Sequence, residues 1–362
     1  MRKIFYAIGA MSGTSADGID ISLIRTDGLN YFRPIESTSI SFDSFLKKEI
    51  LSFSRKFQNK KNHFKLLEIE EMITKKYILA IKKILAKSNF KSSRISVLGL
   101  HGQTVFHDPK NNISLQLINA SKIAKYFNIK TISDFRENDI SKGGEGAPLV
   151  PVFHKLLMKY LNVSLPSIFI NIGGISNITY LSKKNELIAF DSGPGMCLLD
   201  DYVERNSNKK YDEGGKYSFR GKINNKILKK VMRDKYFKLK YPKSIDRNYF
   251  TLIDFKNLDF CDACATISMF TVKSIISGIN KINKKYESIY IMGGGSKNLF
   301  IQKELSKITQ KDVKSINIKG LKDLYIESQA FAYLAVRSIS NLPISYPKTT
   351  GVKKPTIGGK NF

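Results

Sequence analysis

A run rich in glycine, serine and threonine follows the first apolar segment of the chain, GAMSGTSADGID at Gly9–Asp20. Glycine residues allow positive backbone φ angles and bring backbone N–H groups close to an anion, and the hydroxyl groups of the run add further donors. Asp17 lies where a carboxylate could hold Mg²⁺ through water beside a phosphate, because hard divalent cations prefer oxygen ligands. The run matches neither the Walker A nor the GxGxxG pattern, so a plain hairpin turn is the alternative to the favoured interpretation, phosphate binding.

Two further glycine-rich segments follow strand-like apolar runs, NIGGISN at Asn171–Asn177 and IMGGGSKN at Ile291–Asn298. A strand that ends in glycines before a helix lets a flat or anionic group lie against the backbone. Each segment is a weak signal alone, but together with the first run they predict a nucleotide held between two lobes. The residues predicted to contribute are Gly173, Gly174, Asn177, Gly293, Gly294, Gly295 and Asn298.

An acidic residue, Asp191, ends another strand-like run and precedes the tight turn of DSGPGM. A carboxylate held by such a turn at the mouth of a cleft can act as a general base toward water or a hydroxyl group. The alternative is that Asp191 caps the helix expected near Met196. His101, with His107 shortly after it, and Arg136 could supply the polar groups of a sugar pocket, although a lone His or Arg on a loop is more often merely solvated.

Strand-like and helix-like segments alternate along the chain, which indicates the α/β class. The hairpin-like segment Phe5–Leu23 is echoed by Phe169–Leu181, and 362 residues exceed the size at which single cores usually stop growing. Two related lobes are therefore expected, with chance similarity between apolar strands as the alternative. We place the N-terminal lobe at residues 1–145 plus about 330–362 and the C-terminal lobe at 146–329, with the glycine-rich loop Ser141–Pro148 between them.

Lys and Arg outnumber Asp and Glu by 60 to 31, which gives a formal net charge of +29. Such an excess can attract nucleic acid or anionic lipid, but the lysines are spread as pairs through the chain and no RNA-binding motif is present. Neither a nucleic-acid nor a membrane partner is expected, since no stretch approaches the roughly 18 apolar residues of a membrane span. The N-terminus does not resemble a signal peptide, and three cysteines suit a reducing compartment, so the cytoplasm is expected.

Cys261 and Cys264 form a CxxC motif that an apolar helical stretch follows directly. A metal or redox role would need a second pair of ligands or a thioredoxin-like setting. The sequence therefore favours ordinary thiols on or under a helix.

Taken together, the motifs resemble those of the anhydro-N-acetylmuramic acid kinases, sugar kinases of the actin, hexokinase and Hsp70 superfamily. Ten matching segments follow one another in order along nearly the whole chain. They are GAMSGTSADGID (Gly9–Asp20), HGQTVFH (His101–His107), DFR (Asp134–Arg136), GGEGAPLVP (Gly143–Pro151), NIGGISNIT (Asn171–Thr179), DSGPG (Asp191–Gly195), PKSIDRNYF (Pro242–Phe250), GGGSKN (Gly293–Asn298), ESQAFAYLA (Glu327–Ala335) and TG at Thr350-Gly351.

The resemblance implies an α/β, two-lobed actin/hexokinase-like (ribonuclease H-like) fold with a nucleotide cleft between the lobes. It also implies a reaction that uses ATP and Mg²⁺. The family opens the 1,6-anhydro bridge of anhydro-N-acetylmuramic acid with water and transfers the γ-phosphoryl group of ATP to O6. The products are N-acetylmuramic acid 6-phosphate and ADP, in peptidoglycan recycling. The partners implied are the sugar and ATP, and a homodimer is left open.

The resemblance also implies roles for single residues. By position, Asp191 is similar to the family's catalytic base, which activates the water that attacks the anomeric carbon. Asp17 falls near Mg²⁺, and His101, Arg136 and Glu327 fall where substrate contacts are expected. The segment that resembles the family's ATP phosphate site consists of Gly13, Thr14, Ser15, Ala16, Asp17, Gly18, Ile19 and Asp20.

The chain departs from the family's pattern at Met196, at Glu145 and at Ile245-Asp246, where the family has Asn, Gln and Thr-Gly. The last departure alters a loop near the substrate and puts the substrate range in question. Two alternatives stay open: a kinase for another amino sugar, and a nucleotide-binding protein of the same fold that has lost its chemistry. Asp191 and the phosphate run are intact, which argues against the second.

Overall fold

The computed structural model describes residues 3–56, 63–250, 255, 257–316 and 321–362. The chain divides into a first unit, Met1–Leu161 with Lys319–Phe362, and a second unit, Asn162–Ile318. The first unit ends at Leu161, 16 residues after the predicted boundary at 145. It resumes at Lys319, 11 residues before the predicted boundary near 330. Packing explains the first difference, because the Phe153 ring lies 5.1 Å from that of Phe32 and 5.6 Å from that of Tyr333.

The described residues form twelve strands and eleven α-helices. The strands are β1 (Phe5–Ser12), β2 (Gly18–Thr26), β3 (Phe32–Ser41), β4 (Val97–Asp108), β5 (Ile113–Leu117), β6 (Thr131–Ser133), β7 (Ser167–Ile172), β8 (Ile175–Leu181), β9 (Leu187–Pro194), β10 (Ser288–Met292), β11 (Val313–Ser315) and β12 (Lys360–Asn361). The helices are α1 (Ser44–Lys56), α2 (His63–Ser88), α3 (Ala120–Phe127), α4 (Glu137–Ser141), α5 (Pro151–Tyr160), α6 (Cys197–Asn206), α7 (Lys216–Arg220), α8 (Asn225–Val231), α9 (Phe260–Ile282), α10 (Leu299–Thr309) and α11 (Ile326–Ile339).

Each unit is built on one sheet, and five strands of each sheet follow the same order. The order is β6-β4-β1-β2-β3 in the first unit and β11-β10-β7-β8-β9 in the second, with β5 and β12 as additions to the first sheet. In each unit an antiparallel hairpin is extended by a third antiparallel strand on one side and by parallel strands on the other. This repetition confirms the echo seen in the sequence, the α/β class and the actin/hexokinase-like (ribonuclease H-like) fold.

Helices α2 and α11 cover opposite faces of the first sheet. Successive residues of a strand point to opposite faces. On one face Ile8 and Ile21 belong to the apolar cluster that includes residues of α2. On the other face the Ser22 hydroxyl lies 2.7 Å from the hydroxyl of Ser328 on α11, and Gly9 packs against the α11 backbone. Both faces of the sheet are therefore covered, and most residues of β1 and β2 are buried.

Substituting Gly9 tests this close approach of α11. In Gly9→Ala the new Cβ would lie 2.1 Å from the carbonyl oxygen of Ser328 and 2.2 Å from the backbone nitrogen of Ala332. Because both are backbone atoms of one helix, α11 must shift as a body. We expect the free energy of unfolding in urea to fall by about 3 kcal/mol, the upper end of overpacking effects.

The matched control is Gly294→Ala, whose Cβ would meet no atom within 4 Å. We expect its free energy of unfolding to stay within about 0.5 kcal/mol of that of the wild type, as for most exposed substitutions. A loss below about 1 kcal/mol in Gly9→Ala would contradict the packing described for α11.

The expectation that no stretch of the chain is apolar enough to span a membrane is wrong for helix α9, which could do so by length and composition. In the second unit most of that apolar stretch is buried instead, with Phe270 and Ile275 packed in the apolar core beside β8 and β9. The CxxC motif lies in the first turns of the same helix. Cys264 is buried, and burial raises the pKa of both Cys261 and Cys264, to about 12 for the latter. The predicted placement of these thiols on or under a helix is confirmed.

Candidate active site

The predicted phosphate-binding turn, residues 13–17, joins β1 to β2 in the first unit and is called the phosphate turn below. Gln103 on β4 anchors it. The Ser12 hydroxyl donates to Oε1 of Gln103, and Nε2 of Gln103 donates to the carbonyl oxygen of Gly13 at 3.1 Å. Ala16 adopts a left-handed φ of 53°, and its N–H donates to the Gly13 carbonyl at 3.0 Å. The turn is therefore held in one shape by a side chain from a neighbouring strand, which suits a preformed anion site.

Three carboxylates lie at or near this turn. Asp17 is mostly exposed and pairs with Nζ of Lys47 at 2.8 Å. Asp20 is more buried, and burial raises its pKa to about 7, with further contributions from the negative charges of Glu327 and Asp17. Glu327 lies in the first turn of α11. The structure therefore brings the predicted substrate residue Glu327 to the predicted phosphate turn.

The oxygen donors at the turn bear on the Mg²⁺ site that the sequence predicts. No three His, Cys, Asp or Glu side chains among the described residues are grouped so that they could hold a metal by themselves. Mg²⁺ is usually bound by one or two carboxylates together with waters and substrate phosphates. Asp20, whose ionised form is disfavoured by its neighbours, fits that smaller role, because a cation would stabilise its ionised form.

His101 and Arg136, predicted separately, are in direct contact. Nε of Arg136 donates to Nε2 of His101 at 3.2 Å, so the His101 proton is on Nδ1 and is donated to the Gly102 carbonyl at 3.1 Å. NH1 of Arg136 lies 3.4 Å from Nδ1 of His107. Burial and the Arg136 charge lower the pKa of both histidines to about 3. Both imidazoles are therefore neutral at physiological pH and do not repel the Arg136 guanidinium group as imidazolium ions would.

The glycine-rich loop after α4 belongs to the first unit and is fixed by Asp139. Oδ1 of this buried residue accepts from the Gly146 N–H at 2.7 Å, and Oδ2 accepts from the Thr350 hydroxyl at 2.6 Å. The N–H of Glu145 donates to the Thr350 carbonyl at 2.6 Å. Because this contact uses backbone atoms, it does not depend on whether Glu or Gln stands at position 145.

Asp191 lies within β9 in the second unit and is contacted by both backbone and side-chain groups of the segment 236–245. Its N–H donates to the Lys243 carbonyl at 3.0 Å, and its carbonyl accepts from the Tyr236 hydroxyl at 2.6 Å. Its Oδ2 accepts from the Ile245 N–H at 3.1 Å. Helix α6 has Met196 as its N-cap residue and no side-chain cap, so the interpretation of Asp191 as a helix cap is wrong.

A polar row crosses the second sheet at Asp191. Asn177 on β8 lies directly opposite Asp191 on one side and opposite Asn171 of β7 on the other. Directly paired residues of neighbouring strands point to the same face, so the three polar side chains share one face. Asp191 and Asn171 are both buried.

The two glycine-rich segments of the second unit come together beside this row. A Cβ on Gly293 would lie 2.5 Å from Oδ1 of Asn171, and one on Gly195 would lie 2.1 Å from the Gly173 carbonyl. The Gly195 N–H donates to the Gly174 carbonyl at 2.9 Å. The segments that contain Gly173 and Gly174, Asp191, and Gly293–Gly295 therefore form one backbone cluster.

Asn298 contributes both to helix α10 and to the polar groups of this region. Its Oδ1 accepts from the Ile301 N–H at 3.1 Å and caps the helix. Its Nδ2 is buried and makes no hydrogen bond. A donor left in this state lowers the stability of the protein unless a ligand or water accepts from it, which is compatible with the predicted nucleotide contact.

The departures from the family's pattern in the second unit leave the backbone contacts of Asp191 in place. Ile245 is buried in the apolar core, and it is its N–H that contacts the Asp191 carboxylate. Oδ1 of Asp246 accepts from the Asn248 N–H at 2.8 Å, a contact within its own loop. The Met196 N–H donates to the Gly173 carbonyl at 2.8 Å. These contacts need no particular side chain at positions 196 and 245.

Relatives of this chain are known by sequence. A family model described as anhydro-N-acetylmuramic acid kinase matches residues 5–362. The chain belongs to the anhydro-N-acetylmuramic acid kinase family. A protein of that name from Pelagibacter ubique (strain HTCC1062) is 38% identical over 379 residues and covers 100% of both chains. Another of that name, from Rhodopseudomonas palustris (strain ATCC BAA-98 / CGA009), is 35% identical over 361 residues and covers 98% of each.

Among solved structures, component A of (R)-2-hydroxyglutaryl-CoA dehydratase from Acidaminococcus fermentans is similar at a TM-score of 0.49 and 10% identity, over 93% of this chain and 99% of that chain.

Membership of the anhydro-N-acetylmuramic acid kinase family confirms the recognition made from ten ordered motifs. It also confirms the enzyme class predicted with it, a kinase.

Several residues that shape the candidate site were not predicted from the sequence. Asp139 fixes the glycine-rich loop, and Tyr236 and Lys243 hold Asp191. Gln103 lies within a recognised motif but had no predicted role. A lysine in a chain with 60 Lys and Arg gives no signal of its own, and only its burial distinguishes Lys243.

Proposed function

We propose that this chain is an ATP-dependent kinase that hydrolytically opens 1,6-anhydro-N-acetylmuramic acid and phosphorylates O6. The products are N-acetylmuramic acid 6-phosphate and ADP, in cytoplasmic recycling of peptidoglycan. The observation that carries the proposal is the buried Asp191 carboxylate, held by a backbone N–H, in a chain that matches the family over residues 5–362.

In this proposal Asp191 accepts a proton from the water that attacks the anomeric carbon of the sugar. The bond from that carbon to the bridging oxygen breaks, and the released oxygen, O6, takes the γ-phosphoryl group as ADP leaves. One base serves both hydrolysis and transfer, because opening the acetal creates the oxygen that accepts the phosphoryl group. The contact between Oδ2 and the Ile245 N–H limits rotation of the carboxylate and keeps it oriented for this proton transfer.

The phosphate turn of the first unit supplies the second part of the proposal. Residues 13–20 would contact the phosphates of ATP, and Asp17 and Asp20 would hold Mg²⁺. The metal, when bound, neutralises negative charge on the phosphate oxygens during transfer. The support for this role is the turn anchored by Gln103 and the raised pKa of Asp20, which a neighbouring cation would lower again.

For the sugar, we assign the anionic lactyl carboxylate to Arg136. Its guanidinium group is positioned by the neutral imidazoles of His101 and His107, which orient it without neutralising its charge. Arginine binds carboxylates through two parallel hydrogen bonds, which gives both orientation and affinity. Glu327 is assigned to the neutral hydroxyl groups of the same substrate.

The test is incubation of the purified protein with ATP, Mg²⁺ and anhydro-N-acetylmuramic acid, followed by mass spectrometry of the sugar. In water enriched in ¹⁸O, we expect a 6-phosphate that carries one ¹⁸O at the anomeric position. A folded protein that forms no product would overturn the proposal. Faster turnover of an amino sugar without the anhydro bridge would favour a kinase for another amino sugar. Tight ATP binding without turnover of any sugar would favour a nucleotide-binding protein.

A further inference from the structure

Lys243 is a buried lysine in the loop that holds Asp191. Its side chain is only 4% exposed in a chain whose other lysines are mostly at the surface. Nζ of Lys243 donates to the Tyr236 carbonyl at 2.9 Å and lies 3.8 Å from the centre of the Tyr236 ring. Burial of an ammonium group costs free energy unless nearby groups stabilise its charge, and an aromatic face and a carbonyl oxygen both do so.

The contacts of Lys243 and Tyr236 close a ring around Asp191. The Lys243 carbonyl accepts from the Asp191 N–H, and the Tyr236 hydroxyl donates to the Asp191 carbonyl. The Lys243 ammonium group joins these two anchors to each other. The next contact in the same loop, from the Ile245 N–H, reaches the Asp191 carboxylate itself. Movement of Lys243 would therefore disturb three contacts to one residue.

We propose that Lys243 is a positioning residue for Asp191: its buried ammonium group fixes the loop that orients the carboxylate and adds a positive charge to its surroundings. The kinetic consequences of this inference rest on the proposed function, whereas its electrostatic consequence does not. Among the described residues, the ionisable groups that act on the ammonium group include Asp191 on β9, Lys281 on α9 and the Tyr236 phenol. Burial and then the positive charge of Lys281 lower the pKa of Lys243 to about 8, and Asp191 opposes this effect.

Two substitutions at position 243 separate charge from packing. Lys243→Met keeps most of the side-chain volume but removes the cation, so the pKa of Asp191 should rise. We expect the acid limb of the kcat/KM profile to move upward by about one pH unit, the lower end of the effect of a nearby opposite charge. Lys243→Arg keeps a charge that does not titrate. We expect Lys243→Arg to retain the wild-type acid limb. We also expect the activity of the wild type, but not that of Lys243→Arg, to decline near pH 8 as Lys243 loses its proton.

The matched control is Lys240→Met, which removes the same charge from an exposed position three residues away. We expect an unchanged pH profile in that variant. A profile of Lys243→Met that is lowered at every pH without a shift would show a merely structural role and overturn the inference.

A readout that does not need turnover distinguishes failure of this inference from failure of the proposed function. The titration of Asp191 is followed by ¹³C NMR of labelled aspartate carboxyl groups, with Asp191→Asn used to assign the resonance. We expect the pKa of Asp191 to rise by about one unit in Lys243→Met and to stay unchanged in Lys240→Met. An Asp191 pKa that is the same in the wild type and in Lys243→Met would overturn the inference, whatever the sugar assay shows.

Discussion

Asp191→Asn is expected to lower the rate of formation of the sugar 6-phosphate by about 10³-fold, since a positioned general base contributes roughly 10²–10⁴-fold. The amide has the same shape as the carboxylate, and its oxygen can still accept from the Ile245 N–H. It cannot accept a proton from the attacking water at neutral pH. The measurement is the initial rate with saturating ATP and anhydro-N-acetylmuramic acid, together with the dissociation constant for ATP by calorimetry.

We expect the ATP affinity of Asp191→Asn to equal that of the wild type, because the base acts on the sugar and not on the nucleotide. The control is Glu186→Gln, the same change of acid to amide just before the start of β9, where the side chain pairs with Lys284 at the surface. That variant should keep the wild-type rate. If Asp191→Asn retained more than about a tenth of the rate, the role assigned to Asp191 would be wrong.

Asp20→Asn is expected to make the protein more stable and less active. In the folded protein burial, Glu327 and Asp17 raise the pKa of Asp20 from 3.8 to about 7. The unfolded chain therefore releases this proton at a lower pH than the folded chain does. The wild type loses stability as pH rises from about 4 to about 7, and the loss is complete above that range.

The amide carries no charge, so Asp20→Asn should lack this loss. With about 1.4 kcal/mol for each unit of pKa difference, and a discount for partial exposure, we expect a gain of about 1–3 kcal/mol in the free energy of unfolding at pH 8. The two proteins should be equally stable at pH 4. Urea denaturation at the two pH values measures the difference. In the proposed site the same change removes a carboxylate that helps to hold Mg²⁺. The rate of phosphoryl transfer should therefore fall about 10–100-fold.

Asp17→Asn is the control for stability, because Asp17 is largely exposed and its ion pair with Lys47 lies at the surface. Surface ion pairs contribute about 0–1 kcal/mol, so the free energy of unfolding should change little at either pH. Equal stability of Asp20→Asn and the wild type at pH 8 would show that burial and the neighbouring carboxylates do not disfavour the ionised form of Asp20 as described.

The sequence predicted elements well where the local signal was strong. The sequence pattern predicts helices at Ala120–Phe127 and Ile326–Ile339 and a strand at Ser288–Met292, and α3, α11 and β10 have these bounds, because each is a compact run with clear periodicity or an apolar stretch. The sequence pattern does not predict strand β3, because it is polar, partly exposed and contains Pro34, which is unusual inside a strand. Strands β11 and β12, of three and two residues, are too short to carry a periodic pattern.

Some residues of the candidate site could be predicted from local sequence and others could not. Asp191 and the phosphate turn could be found because glycines beside an acid or hydroxyl groups are visible in a short window of sequence. Gln103, Asp139 and Lys243 could not be assigned roles. Their parts depend on contacts with segments distant in the chain, such as the bond from Gln103 to the phosphate turn.

The sequence by itself determined the family, the α/β class, the repeated hairpin and the identity of the candidate base. Motifs and periodicity can be recognised because they involve residues that are close together in the sequence. The tertiary structure alone decided the ionisation of the site. It made Asp20 hard to ionise beside Glu327 and kept His101 neutral beside Arg136. It also buried Lys243 against Tyr236. The physical reason is that a pKa depends on desolvation and on charges a few ångströms away, and those neighbours come from distant parts of the chain.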